Sequence, residues 1–213
     1  MEATVLESSS SAFPTALRNV GCERLWAIGD LGILARPLLG LFCSKRCPGE
    51  IILLAYDIAR ALRDAGVPVI GGFHSPMEKE CLELLLRGTQ PLVVCPARGI
   101  EGMRVPAAWR KPIEERRLLI VSPFDPRRKR MDAPLAERRN RFVTALAASL
   151  LVLHAAPKSR LERLCSAVLD TGGTVYAPDA PSNAGLASRG ARLVTIDALL
   201  DRLPAANQFP VRR

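Results

Sequence analysis

Residues 38–72 read LLGLFCSKRCPGEIILLAYDIARALRDAGVPVIGG and decide the class of fold. The stretch begins with a short apolar run at 38–43, which predicts a strand, and ends with a second such run at 67–71. Between them, residues 50–65 have apolar side chains at helical spacing, and Gly66 stands where a C-terminal helix cap belongs. The stretch therefore predicts a strand, a helix and a second strand in succession.

The same alternation continues towards the end of the chain. Further strands are predicted at 90–95, 117–122, 150–154, 174–177 and 192–195, and further helices at 77–87, 135–149, 158–170 and 197–202. Apolar strands that alternate with amphipathic helices are typical of a parallel sheet covered on both faces. Since crossovers between parallel strands are right-handed, the sequence predicts an α/β protein with a Rossmann-like, doubly wound, mostly parallel sheet and helices on both faces.

Three segments follow from this pattern. Residues 1–37 precede the alternation and begin with a Ser-rich, aperiodic stretch, so we expect an N-terminal arm or a strap over the body. Residues 38–203 are expected to form the Rossmann-like domain, and residues 204–213 a C-terminal tail.

The composition is that of a basic globular protein. The chain has 213 residues, 48% of them hydrophobic, with 30 Lys and Arg against 21 Asp and Glu, a net charge of +9. This balance favours polyanionic partners such as nucleic acid or nucleotide phosphates. The longest apolar stretch, 142–153, is short of the roughly 20 residues that a membrane span needs, and the first residues lack the basic start of a secretory signal. We expect no membrane association.

Cysteine and histidine usage argues against a metal centre. The six cysteines are irregularly spaced, and without an export signal we expect reduced thiols in the cytoplasm. Cys43 and Cys47 are the one close pair, and the two histidines, His74 and His154, lie far along the chain. Four-ligand zinc spacing is therefore missing, and we expect no metal and no cofactor.

Ligands of doubly wound sheets bind at the carboxyl ends of the strands, so the residues that follow each strand are the candidates. After the first strand, Ser44, Lys45 and Arg46 precede a helix start, where free N–H groups and basic side chains favour a phosphate. A solvated basic turn is the alternative. The loop matches neither GxGxxG nor a P-loop, which disfavours dinucleotide and Walker-type binding.

The second strand is followed by Gly71, Gly72, Phe73, His74 and Ser75. Paired glycines permit a close backbone approach to a ligand. Ser75 precedes Pro76 and lies three residues before Glu78, the spacing of a capping box, so a structural role accounts for it as well as a binding role does. His74 is a candidate ligand contact, with a satisfied structural histidine as the alternative.

Most of the excess charge lies in residues 104–141, which hold twelve Lys and Arg and five Asp and Glu, so +7 of the +9 is found there. Such a concentration favours a surface that faces phosphates, although a solvated charge run is the alternative. The candidate residues in and near this segment, including the loop after the third strand, are Arg98, Arg127, Arg128, Arg130, Arg139, Asn140 and Arg141.

Nucleophilic catalysis has little support. GxSxG is missing, no Cys–His spacing is recognisable, and no paired carboxylates follow the strand ends. We expect no catalytic residues, and a binding protein is favoured over an enzyme.

Several motifs resemble those of the DprA/Smf family of DNA-processing proteins. FCSKR (42–46) resembles the Gly-Ser-Arg loop of the family, Gly71-Gly72 resembles its Ser-Gly-Gly, and ERRNRFV (137–143) is similar to its Arg-Asn-Arg helix start. Residues 155–159 stand where the family has an acidic residue and a Ser-Gly motif, and 183–191 resemble its closing Asn-x-Leu-Ile…Gly-Ala signature. The resemblance covers about residues 38–196.

This resemblance implies an extended Rossmann domain that binds single-stranded DNA in a basic pocket, with no established enzymatic activity. It also implies a homodimer and a recombinase partner in natural transformation. Carried over to this sequence, Lys45 or Arg46 binds phosphate, Gly71 and Gly72 approach the ligand, and the segment 139–141 lines or braces the pocket. Lys158 and Ser159 lie at the matching position after a later strand, where the serine either contacts a phosphate or caps its helix.

Two alternatives stay open beside single-stranded DNA. A pocket of this type could hold a free nucleotide or a phosphoribosyl compound, as a sensor or an enzyme, with His74 or Glu78 near the sugar. The chain could instead bind a protein partner and no phosphate ligand.

Overall fold

The computed structural model describes residues 2–203, so the predicted tail at 204–213 lies outside the described residues. These residues include nine strands, which form one sheet. The strands are β1 (Thr4–Glu7), β2 (Arg24–Ile28), β3 (Leu38–Cys43), β4 (Val69–Gly71), β5 (Leu92–Val94), β6 (Leu118–Ser122), β7 (Ala147–His154), β8 (Val175–Pro178) and β9 (Arg192–Val194). The helices are α1 (Thr15–Asn19), α2 (Gly49–Asp64), α3 (Pro76–Leu85), α4 (Ala107–Glu114), α5 (Ala133–Leu146), α6 (Arg160–Asp170), α7 (Ala184–Ala187) and α8 (Ile196–Leu200), with 3₁₀ turns at Leu31–Ala35 and Pro181–Asn183.

The strand order is β1-β2-β6-β5-β4-β3-β7-β8-β9. From β6 to β9 all neighbours are parallel, and only β2 on β6 and β1 on β2 are antiparallel. The run β5-β4-β3-β7-β8-β9 is the 3-2-1-4-5-6 order of a Rossmann sheet. The predicted α/β, doubly wound and mostly parallel fold is thus confirmed, and the chain reverses direction across the sheet between β3 and β7.

Two hydrophobic clusters cover the two faces of the sheet. One holds buried residues of α2, α3, α4 and α8, such as Ile51, Leu85 and Leu199. The other holds residues of α1, α5, α6 and α7, such as Leu17, Phe142 and Cys165. The prediction of helices on both faces is therefore confirmed. Across residues 2–203, no helix combines the length and the apolar character needed to cross a membrane.

The N-terminal segment differs from the expected arm or strap. Within 1–37, β1 and β2 join the sheet, and β2 pairs with β6 through Trp26↔Ser122 and Ile28↔Ile120. The four residues of β1 are mostly exposed, so their side chains lack the apolar alternation that predicts a strand. Hydrogen bonding to β2 makes this segment a strand.

Several element boundaries also differ, and the helices α1, α4 and α7 were not predicted. The predicted helix 135–149 ends at Leu146, because residues from Ala147 onwards pair with β3. The predicted helix 158–170 begins at Arg160, after Ser159 as its cap. The helix α4 was not predicted, since it is short and contains Pro112.

Candidate functional site

A pocket of about 480 Å³ lies at the carboxyl edge of the sheet, beside the reversal between β3 and β7. The loops after β3, β4 and β5 contribute to it, together with the N-terminal half of α5 and the first residue of α6. It is lined by Lys45, His74, Ala97, Met131, Asp132, Ala133, Ala136, Glu137, Asn140 and Arg160. Its place is the one that doubly wound sheets use for ligands.

The loop after β3 is braced by Ser44. The Ser44 backbone N–H donates to the His154 carbonyl at 2.8 Å, and the Ser44 hydroxyl accepts from the Ala156 N–H at 2.9 Å. These bonds join the ends of β3 and β7 and leave the next side chain, Lys45, exposed at the pocket. Arg46 is also exposed but lies outside the pocket lining.

The buried Glu78 carboxylate joins the loops after β3 and β4. Its Oε1 accepts from the Cys43 N–H at 2.9 Å, and its Oε2 accepts from the N–H groups of His74 at 2.8 Å and Ser75 at 3.1 Å. The Ser75 hydroxyl accepts in turn from the Glu78 N–H at 3.3 Å, which confirms the predicted capping box. Glu78 is therefore occupied by backbone donors and is not among the residues that line the pocket, where the nucleotide alternative would place it near a sugar.

The paired glycines make room for side chains of the protein itself. A Cβ on Gly71 would lie 3.0 Å from the Phe73 ring. A Cβ on Gly72 would lie 1.4 Å from Nη1 and 1.9 Å from Cζ of Arg139. The Arg139 guanidinium thus occupies the space that any side chain at position 72 would need.

Arg139 is a buried cation, with 5% of its surface exposed. Its Nη1 donates to the Cys95 carbonyl at 3.1 Å and its Nε to the Asn140 Oδ1 at 2.8 Å. Both acceptors are neutral, and within residues 2–203 Arg139 forms no ion pair. The site therefore has an uncompensated positive charge directly behind the pocket. Burial of a charge without a counter-charge is costly.

The basic side chains that line the pocket are exposed, whereas the two carboxylates that line it form ion pairs. Lys45 and Arg160 are exposed. Asp132 pairs with Arg128 at 2.8 Å, and Glu137 pairs with Arg141 at 2.7 Å. The Leu135 N–H and Arg128 hold the pKa of Asp132 below its usual range. The pocket therefore favours an anion.

His74 is tuned by this environment. Partial burial lowers its pKa from the ordinary value, and the neighbouring Arg139, Lys79 and Lys45 lower it further, while Glu78 acts in the opposite direction. The imidazole is held closer to its neutral form by the surrounding positive charge.

The basic loop 127–130 forms a rim next to the pocket. The Gly99 N–H donates to the Arg128 carbonyl at 2.7 Å, and the Lys129 ammonium donates to the Glu101 carbonyl. The loop after β5 thereby fixes the loop that leads into α5. The exposed side chains of this rim are those of Arg127, Arg128, Lys129 and Arg130, with the half-buried Arg98 beneath them on the loop after β5.

The loop after β7 is organised like the loop after β4. The Ser159 hydroxyl caps α6 by accepting from the Glu162 N–H at 3.1 Å, and the buried Glu162 carboxylate accepts from the Lys158 N–H at 2.7 Å. Ser159 therefore has the capping role that was one of its two predicted roles. Lys158 is exposed but does not line the pocket. The nearby Arg160 lines it instead.

Of the residues predicted from sequence, Lys45, His74 and Asn140 line one pocket, and Arg139 lies buried behind it. Ser44, Gly71, Gly72 and Ser75 support its walls. The side chains of the basic rim stand beside the pocket, and Arg141 lies in a groove next to it. Arg160 was missed, although its position directly after a strand-end loop was a usable signal.

A sequence model of the family described as DNA recombination-mediator protein A matches residues 4–197. The chain belongs to this family. The match starts at β1 and ends in α8, so it includes β1 and β2 of this chain as well as the Rossmann core. The resemblance to DprA/Smf proteins inferred from the motifs is confirmed.

Solved structures of DprA proteins have the same fold. DNA processing protein A from Streptococcus pneumoniae superposes with a TM-score of 0.78 at 17% identity, over 95% of this chain and 75% of that one. The protein from Helicobacter pylori, described for its unique single-stranded DNA binding mode, superposes with a TM-score of 0.74 at 17% identity, over 94% and 97%. The molybdenum cofactor binding protein from Rippkaea orientalis is more distant, with a TM-score of 0.54 at 10% identity over 78% of this chain and 94% of that one. No curated protein sequence matches the chain.

Proposed function

We propose that the chain binds single-stranded DNA through its sugar–phosphate backbone, with a phosphate in the pocket at the carboxyl edge of the sheet. The observation that carries the proposal is the buried Arg139 guanidinium, which has two neutral acceptors and no carboxylate partner in the described residues. A phosphate in the pocket supplies the missing negative charge, and guanidinium–phosphate attraction is strong where water is excluded.

The other groups of the pocket suit the same ligand. Lys45 and Arg160 approach from the loops after β3 and β7, on the two sides of the reversal. The backbone that carries them is held before binding, because Ser44 braces one loop and Ser159 caps the helix that follows the other. Prepositioned cations lose little freedom on binding.

A single strand fits better than a duplex. The pocket is a half-open cavity of about 480 Å³, and a strand can place one phosphate in it while its neighbours contact the basic rim 127–130. The DprA protein of Helicobacter pylori, which shares the fold, is described as a single-stranded DNA binder. The homodimer, the recombinase partner, the role in natural transformation and the cytoplasmic location belong to the proposal through the family resemblance.

The main test is the loss of affinity on removal of the pocket cations. Lys45→Ala and Arg160→Ala should each weaken single-stranded DNA binding by about 1–2 kcal/mol, since a charge-assisted hydrogen bond is lost. Each should also reduce the salt slope of log affinity by about 0.7. Fluorescence anisotropy of a labelled oligonucleotide at two salt concentrations measures both quantities.

The matched control is Arg192→Ala, which removes an exposed arginine from the far edge strand β9. Its affinity and salt slope should equal those of the wild type. Equal losses of affinity in all three variants would contradict binding in the pocket, because they would indicate diffuse charge attraction alone.

His74 gives a pH-dependent prediction. A bound phosphate favours the imidazolium form, so the pKa of His74 should rise from its lowered value when an oligonucleotide binds. Affinity should therefore increase as the pH falls through the pKa of the complex, by about tenfold for each unit of the pKa rise. NMR titration of the histidine resonances with and without oligonucleotide measures the shift.

The variant His74→Gln should bind with an affinity that no longer changes over this pH range. A His74 pKa that stays the same on binding would place the phosphate elsewhere.

A free nucleotide is the second candidate, favoured by the volume of the pocket, which lies in the range of small-molecule sites. Thermal shift with mononucleotides and with oligonucleotides separates the two candidates. Strong stabilisation by a mononucleotide, with none by an oligonucleotide, would support a nucleotide-binding protein and overturn the DNA proposal.

A further inference from the structure

A second cavity, of about 740 Å³, runs between α5 and α6 on one face of the sheet. We call it the α5/α6 groove. Its walls are the two helices, and its floor is formed by the first residues of β7 and by residues 171–174 before β8. The site described above does not use it. Since α6 has eleven residues, the groove extends for ~16 Å along the helices.

The groove adjoins the pocket. Glu137, Asn140 and Arg160 line both cavities, so the two share one boundary of three side chains on α5 and α6. A polymer that enters the pocket can therefore reach the groove by passing over these three side chains.

Positive charge follows the groove as well. Arg141, Arg160 and Arg163 line it, against the single carboxylate of Glu137, which already pairs with Arg141. The Arg163 guanidinium is held at the entrance by donating to the Lys158 carbonyl at 3.0 Å. A polyanion is the occupant that this charge complements.

The floor and walls between the arginines are small and largely apolar. Ala148, Ala167, Gly172 and Gly173 are among the lining residues, and they leave depth without a bulky side chain. Apolar surface bordered by cations suits a strand whose bases rest on protein while its phosphates contact the arginines.

From the shared boundary and the charge, and resting on the proposed function, we propose that the α5/α6 groove holds the stretch of single-stranded DNA that leaves the pocket. The pocket anchors one phosphate, and the groove binds the following nucleotides. Affinity should therefore rise with the length of the strand beyond what the pocket alone can contact.

The test uses a substitution in the groove that lies outside the pocket. Ala167 is exposed on α6 and lines only the groove, so Ala167→Glu and Ala167→Lys place opposite charges there on similar side chains. For a twenty-nucleotide oligothymidylate, Ala167→Glu should weaken binding about three- to tenfold at low salt, and Ala167→Lys should tighten it. For a four-nucleotide oligothymidylate, which occupies the pocket, both should bind like the wild type.

Ala108→Glu and Ala108→Lys are the matched controls, because Ala108 is exposed on α4, which packs on the opposite face. Effects of equal size at positions 108 and 167 would contradict DNA binding in the groove. Unchanged binding of the long strand by both Ala167 variants would contradict it as well. A change of oligomeric state in Ala167→Glu, measured by sedimentation, would assign the groove to a second copy of the chain and also overturn it. If the wild type binds neither oligonucleotide, the proposed function fails and the groove assignment fails with it.

Discussion

Replacing Gly72 with alanine is expected to lower the free energy of unfolding by about 1–3 kcal/mol and to weaken DNA binding. The new Cβ would lie 1.4 Å from Nη1 of Arg139, and the guanidinium cannot yield without losing its bond to the Cys95 carbonyl. A displaced Arg139 would leave that buried carbonyl without its donor. Urea denaturation and fluorescence anisotropy on the same preparation measure the two losses.

Two further variants test whether the losses come from the contact between position 72 and Arg139. Gly185→Ala is the control, since a Cβ there would meet its nearest atom only at 4.0 Å, and its stability should stay within about 0.5 kcal/mol of the wild type. In the double variant Gly72→Ala with Arg139→Ala, the clash is gone, so the double variant should be no less stable than Arg139→Ala alone. Strictly additive losses would show that the two residues do not interact.

Glu78→Gln is the second change with a large expected effect. The Glu78 carboxylate accepts three backbone N–H groups, and an amide would present its NH₂ to at least one of them. We expect a loss of about 3 kcal/mol in the free energy of unfolding, because buried donors are left without acceptors. Hydrogen exchange at the Cys43, His74 and Ser75 amides should accelerate together.

Glu83→Gln is the matched control on the same helix, since Glu83 is exposed. Its stability should be unchanged within about 0.5 kcal/mol. If both glutamines destabilise the protein equally, the effect belongs to the charge of α3 and not to the bonds of Glu78.

The core of the fold could be predicted because its signal is local. Each central strand is a short run of fully buried apolar residues, as in β3 and β6, and each neighbouring helix has one apolar face. The edge elements have no such signal. Residues 4–7 become a strand only through pairing with β2, and α4 is mostly exposed and interrupted by Pro112.

The position of the candidate pocket could also be predicted, because it follows from the predicted strands. The contacts inside the pocket could not be predicted. Strand-end loops converge in any doubly wound sheet, so Lys45 and His74 were expected near one another, whereas Asn140 on α5 was expected there only from the family resemblance. All three line one pocket. The packing of Arg139 against Gly72 depends on how closely α5 approaches the loop after β4, which no local pattern encodes. The contribution of these residues to DNA binding stays a prediction.

The antiparallel pairing of β2 with β6 has a consequence for the order of folding. Trp26 pairs with Ser122, so β2 binds a strand from beyond the middle of this sequence. Contacts so distant in sequence form late, after the intervening loop has been closed. We therefore expect the N-terminal hairpin to join last, onto a parallel core that has already assembled, and until then the backbone of β6 is an open template for the strands of other molecules.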